Sequence, residues 1–289
     1  MLGLAEFVMR GRWQALAVAI LGTGSLFFGW VSAAVVALIT LRKGPAEGGW
    51  LVLWACLPGV VLAVMTGDSG SVQLLLATFV LALMLRSSES LSLTLLISVP
   101  IALLSALALQ WLSADFVDDL VDLFAEIVDQ MQSSLAAQGG AELALSSLSA
   151  LQVVAFIAAG NVATAVVSLL LARYWQAAAV WPGQFGREFR SLRLPALWVG
   201  LLSLPVLWMV LSDAALASWG VIAAVPLTFC GFALFHARVE ARRQGTFAVT
   251  MFYLAWVVID PVKWVVIVAV WADSVLDFRS RWSTPKAPS

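Results

Sequence analysis

Uncharged, mostly apolar stretches recur along the chain at 13–41, 48–67, 69–85, 90–114, 143–172, 194–212, 214–237 and 244–272, the last interrupted by Asp260, Pro261 and Lys263. A helix needs about 20 apolar residues to cross a hydrocarbon core roughly 30 Å thick, because its backbone polar groups must be satisfied within the segment. The stretches meet or approach that length and predict an all-α, polytopic transmembrane helical bundle. Tryptophans near their ends, at Trp13, Trp50, Trp111, Trp175, Trp219 and Trp264, suit an interfacial belt.

The first and last runs are broken. Residues 13–41 are too many for one straight crossing and too few for two, and Gly22 with Gly24 favours a tight turn between two helical arms. Pro261 removes a backbone donor and disfavours helix at Asp260, so residues 246–272 are expected to turn back there. A cleavable leader is the other reading of the start, with Arg10 and Arg12 as its basic flank and Val31-Ser32-Ala33 as its cleavage site. The apolar run continues without pause to Leu41, which favours an uncleaved anchor.

Charge sets the expected orientation. Arg173, Arg187, Arg190 and Arg193 share one loop with Glu188, and Arg238, Arg242 and Arg243 share another with Glu240. Both loops are expected on the cytoplasmic side. Residues 115–139 contain Asp115, Asp118, Asp119, Asp122, Glu126 and Asp129 but no Lys or Arg, which places them outside. Counting back from there, Arg10 and Arg12 fall inside only if 13–41 is a hairpin. Arg279, Arg281 and Lys286 fall inside only if 246–272 turns back. The expected layout is a single bundle domain over 1–282 in a bacterial inner membrane, with 113–140 as an extracytoplasmic amphipathic insertion, 283–289 as a cytoplasmic tail and both termini cytoplasmic.

Composition narrows the function classes. The chain of 289 residues is 62% hydrophobic and 11% charged, against about 45–50% and 25% in soluble domains. Its 16 basic and 17 acidic residues nearly cancel, which argues against nucleic-acid binding. Cys56 and Cys230 lie far apart in apolar runs and predict neither a disulfide framework nor a zinc site. No cofactor or metal is expected.

Between Asp115 and Met131, Phe116, Leu120, Phe124, Ile127 and Met131 recur at helical spacing opposite the carboxylates. A helix packed over the outer ends of the bundle accounts for them; a lid over a binding cavity, or a site for cations, is the sharper alternative. Gly67-Asp68-Ser69-Gly70 resembles a hydrolase nucleophile turn, but the single histidine, His236, is expected at the opposite end. A turn between helices is expected, and a non-enzymatic protein.

Intramembrane polar residues are the default functional candidates. Asn161, one turn from Thr164, makes either an interhelical hydrogen bond or a ligand contact. Asp260 and Lys263 form either a charged turn or a ligand site. Pairs of small residues, Ala15/Ala19, Ala33/Ala37 and Ala102/Ala106, allow close helix approach. Arg187, Arg190 and Arg193 would share one basic face on a helix, for headgroup or partner contact.

Arg173-Tyr174-Trp175, the stretch from Phe185 to Arg193-Leu194-Pro195, and Ala272-Asp273 with Leu276-Asp277-Phe278-Arg279 resemble the YybS-like family of bacterial membrane proteins of unassigned function. Its members are similar in layout to the substrate-binding S components of energy-coupling factor vitamin transporters. The resemblance implies a small-molecule cavity opening outward, and contact of Ala15 and Ala19 with a coupling subunit. Small-molecule binding or uptake is thus one expected function. A membrane interaction or assembly protein that carries no solute is the alternative.

Overall fold

Each uncharged stretch contains helix, and no strand occurs among the residues described by the computed structural model, which are 2–25, 27–137 and 147–283. The amphipathic α1 (Leu2–Arg10) precedes α2 (Arg12–Thr23) and α3 (Gly29–Lys43), the two pieces of the first apolar run. Then come α4 (Pro45–Thr66), α5 (Gly70–Ser88), α6 (Leu91–Leu112), α7 (Ala114–Ala137) and α8 (Ala150–Val180). After α9 (Gln184–Ser191) and α10 (Ala196–Leu211), a 3-10 turn (Ala215–Trp219) enters α11 (Gly220–Ala241). The described chain ends with α12 (Thr246–Val258), α13 (Asp260–Leu276) and α14 (Phe278–Ser283). Among the described residues five helices are long and apolar enough to cross a membrane (α4, α5, α6, α8, and α11 with its 3-10 turn), and the bent pairs α9–α10 and α12–α13 raise the number to seven at most. The chain is an all-α, multi-pass membrane protein.

Local sequence sets the helix ends. Pro45 occupies the first turn of α4, where its missing N–H costs nothing. Gly67, at φ 75°, closes the same helix in the left-handed conformation. Ser149 and Gln152 form a capping box at the start of α8, with the Ser149 N–H donating to Gln152 Oε1 at 2.9 Å. That helix runs on past Arg173 to Val180, so the charge marks a change of surroundings, not the end of the helix.

The centre of the bundle is α3. Every residue from Ser32 to Leu41 is buried, and the helix packs against α2, α4, α5 and α8. Apolar on all sides, it has no face suited to water. Yet at 15 residues it rises only about 22 Å, short of a roughly 30 Å hydrocarbon core.

The first run is the expected hairpin. α2 packs along α3, and Ser32 Oγ donates to the Ala19 carbonyl at 2.7 Å, beside a Thr23 Oγ1 bond to the same oxygen at 2.8 Å. Gly22 works here by its size: a Cβ on it would fall 2.2 Å from Ser32 Oγ and 3.0 Å from the Phe28 carbonyl. Gly24 has an ordinary helical φ of −71°, so neither glycine is used for left-handed backbone.

The last run also breaks as expected, one residue before Asp260. Ile259 is extended between α12 and α13, whose axes differ by 115°. The far end of α13 is held by a charge cluster. Arg193 Nη1 meets Asp277 Oδ1 at 2.8 Å and its Nη2 donates to the Asp273 carbonyl at 2.7 Å. The buried Asp273 carboxylate accepts from the Phe278 N–H at 3.1 Å and lies 3.2 Å from Arg279 Nε, while Arg279 Nη1 donates to the carbonyls of Arg190 and Leu192.

These contacts give the bundle two unlike ends. Arg12 pairs with Glu47 through two bonds of 2.9 and 3.0 Å, Arg86 donates to the Leu41 carbonyl, Arg190 lies 3.8 Å from Glu240, and Arg238 stacks on Trp282. Every described Lys and Arg except Lys263 therefore gathers at one end, and both hairpins start and finish there. At the opposite, acidic end are Asp68 and the carboxylates of α7. Within the 113–140 insertion residues 138–140 lie outside the described residues, as do 284–289 of the tail.

Substituting Gly22→Val should force α2 off α3 and destabilise the fold by about 1–3 kcal/mol. Gly200→Val, where nothing lies within 4 Å of an added Cβ, should leave stability nearly unchanged. Thermal loss of the monodisperse peak in detergent compares the two.

Candidate functional site

A cavity of about 370 Å³ opens near the acidic end. Four elements make it. The tip of the α2–α3 hairpin supplies Ser25, Phe27 and Trp30; the start of α5 supplies Asp68 and Ser71; α8 supplies Ile157, Asn161 and Thr164; and α7 lays Phe116 and Leu120 alongside. Its depth follows from two bonds. Ser168 Oγ donates to the Trp30 carbonyl at 3.1 Å, and Asn161 Nδ2 donates to the Gly70 carbonyl at 3.1 Å. Seven residues of α8 separate the two, so the Trp30 carbonyl, in the first turn of α3, sits about 10 Å below the Asn161–Gly70 tie.

The polar edge of the cavity is fixed in place. Asp68 Oδ1 accepts from the Gly70 N–H at 2.7 Å, tying the carboxylate to the first turn of α5. Its other oxygen and the Asn161 Oδ1 have no protein partner among the described residues. Among the described residues no Lys or Arg lines the cavity, and aromatic rings come from the hairpin tip and from α7. A rigid carboxylate, an amide oxygen and facing aromatic rings can receive a cation or a hydrogen-bond donor.

Behind this edge a polar chain descends between α5 and α6. Ser113 Oγ and Ser69 Oγ are 2.8 Å apart, Gln73 Nε2 donates to Ser69 Oγ at 2.7 Å, and Ser105 Oγ donates to Gln73 Oε1. The Gly67–Gly70 segment is the inter-helix turn expected. Ser69 is not brought near His236, whose Nε2 lies 3.0 Å from the Tyr253 hydroxyl and whose ring packs on Phe189.

The structure distributes the sequence candidates unevenly. It brings Asn161 and Thr164 together at the cavity, although Thr164 also donates to its own helix at the Gly160 carbonyl. Asp260 and Lys263 stand apart from it: their side chains pair at 2.6 Å on the exposed bend, and Lys263 faces the Trp256 ring. That is the charged-turn reading. Ala15 and Ala19 are 2% and 0% exposed and face inward, so the stripe meets this chain's own α3 and offers no surface to a coupling subunit. Nor do Arg187, Arg190 and Arg193 share a face, because α9 ends at Ser191 and Arg193 turns away to Asp273 and Asp277.

Asp68 and Trp30 escaped the sequence reading as cavity residues, whereas Phe116 and Leu120 lie beside the cavity on the helix for which a lid was one of the two expectations. Asp68 was visible only as part of a serine-hydrolase look-alike. The available signal was the break at Gly22 and Gly24, since a hairpin that stops within the membrane leaves a space above its tip.

The helical-hairpin bundle with a cavity above its first break defines the class: a multi-pass membrane protein with an open, largely apolar recess edged by Asp68 and Asn161. Comparison with known protein families, curated proteins and solved structures gives no match, and the YybS-like resemblance rests on its short motifs alone.

Replacing Gln73 with Leu removes a donor to Ser69, which keeps Ser113, and strands the Ser105 hydroxyl, and should destabilise the bundle by about 1–3 kcal/mol. A double-mutant cycle with Ser113→Ala should be non-additive. Additive losses in thermal stability would contradict the continuous chain.

Proposed function

We propose that this protein binds a small organic cation, such as an amine, in the cavity at its acidic end and serves its uptake across a bacterial inner membrane. The observation that carries the reading is the convergence of the α2–α3 tip, Asp68, Asn161 and Phe116 on one recess free of Lys and Arg. Each part has a chemical use. The free oxygen of Asp68 offers a charge-assisted hydrogen bond to an ammonium group. Trp30 and the phenylalanines offer ring faces, worth about 0.5–2 kcal/mol to a cation. The carboxylates of α7 add a negative field at the mouth that raises the local concentration of cations. Broken helices beside a recess recur in membrane proteins that handle solutes, and an outward cavity agrees with the S-component-like layout implied by the motif resemblance.

In this reading the basic end faces the cytoplasm, which satisfies the positive-inside rule. The reading assigns the cavity to binding, without chemistry on the bound molecule.

One observation favours the alternative of an interaction or assembly protein. Beyond its first turns, α7 leaves Leu123, Phe124, Ile127 and Met131 uncovered, at 38–50% exposure. That apolar strip is a contact surface in search of a cover. Its position downstream of Phe116 and Leu120 equally suits a helix that shifts as the cavity fills.

Binding of a panel of primary and quaternary amines to the purified protein, followed by thermal shift or calorimetry, tests the main reading. Asp68→Asn keeps an acceptor for the Gly70 N–H but removes the charge, so it should weaken binding about tenfold or more with little change in stability. Preference for anions, or equal affinity in the Asp68→Asn protein, would overturn the cation assignment.

A further inference from the structure

A second cavity, of about 810 Å³, lies at the basic end between α5, α8 and α9. We propose that it binds a phosphate-bearing anion, supplied by an acidic lipid headgroup or by a soluble phosphate compound. Three arginines from three elements face it: Arg86 at the end of α5, Arg173 on α8 and Arg187 on α9.

Their partners differ in a telling way. Arg86 donates to the Leu41 carbonyl, covering the partial negative charge at the end of α3. Arg173 is held by Glu188 at 2.8 Å and by Gln176 Oε1 at 2.8 Å. Arg187 is exposed and has no partner among the described residues. Each guanidinium has five N–H donors, so the two anchored arginines are positioned with donors to spare and the third is free to close on a ligand. Glu188 is occupied by Arg173; Glu89 is the remaining acid on the wall, and the cavity carries a net positive charge. Planar guanidinium forks match the oxygen spacing of phosphate.

The surroundings place the cavity at headgroup level. Tyr174 on α8 and Trp181 just past its end are 44% and 67% exposed, and Tyr174 packs against Phe185 of α9. Aromatic residues gather at this depth in membrane proteins, and basic pockets between helices on the cytoplasmic side receive acidic headgroups. Leu41 and Leu85 give the cavity an apolar wall beside the arginines. The site is independent of the amine cavity, which lies at the other end of the bundle.

The full chain, purified in a neutral detergent, is titrated with inorganic phosphate, with dihexanoyl-phosphatidylglycerol and with dihexanoyl-phosphatidylcholine while its unfolding temperature is followed. A saturable rise is expected with phosphate, with the glycerol lipid, or with both, and none with the choline lipid. A response to the glycerol lipid alone assigns the lipid source; a response to phosphate assigns the soluble one. Arg187→Gln, which breaks no side-chain hydrogen bond or ion pair among the described residues, should weaken the response about tenfold. Arg242→Gln, at the same end but outside the cavity, should leave it unchanged. Absence of a response to either anion, or equal weakening by both substitutions, would overturn the proposal.

Discussion

Inside a bilayer there is no water to complete an unpaired backbone group, so a break in a helix at membrane depth must be buried in protein or open to a wet recess. The α2–α3 hairpin is the feature of this bundle on which that constraint acts most strongly. Its buried side is closed by Gly22, Thr23 and Ser32 against one another and against the Ala19 carbonyl. Its tip backbone is partly paired within the turn, as the Gly24 N–H donates to Ile20 and the Ser25 N–H to Gly22. Its open side is the floor of the acidic-end cavity. Because α3 stops short and stays fully surrounded, α5 and α8 can meet above it, and the Asn161–Gly70 bond ties them at the rim.

The second broken run meets the same constraint by different means. Its bend carries its own neutralising pair, Asp260 with Lys263, so neither charge is left alone. The returning helix is pinned at its far end by Asp273, buried to 2% exposure, against Arg279, Arg193 and the Phe278 N–H. Burial lowers the pKa of Arg279, and the neighbouring Asp273 carboxylate opposes that shift. A cluster of this kind contributes little net stability when complete but leaves a costly orphan when either partner is removed. It therefore fixes where the chain ends up more than how tightly it is held there.

The helices, both hairpins and the segregation of basic residues were legible in the sequence because each reflects a one-dimensional rule: length of apolar run, charge punctuation, and proline or glycine at a break. Asn161 was legible because an amide in the middle of an apolar helix has few tolerable surroundings. What escaped depends on three dimensions. Ala15 and Ala19 advertise close packing without saying what packs, and the partner is α3. Arg187, Arg190 and Arg193 keep helical spacing, but the helix ends between the second and the third, and each then answers to a different neighbour. Asp68 sits at the end of a span, where carboxylates are ordinary; only the depth of the hairpin tip turns it into the rim of a recess.

The central claim is that the first hairpin stops within the membrane and its tip is reached by water from the acidic end. In a Cys56→Ala, Cys230→Ala background, reaction of Ser25→Cys with a membrane-impermeant maleimide, applied separately to each face of oriented vesicles, tests this most directly. Labelling from the face that carries α7, with Arg12→Cys labelled from the other face, is the predicted result. Labelling of both positions from one face, or no reaction at position 25 from either, would contradict the account.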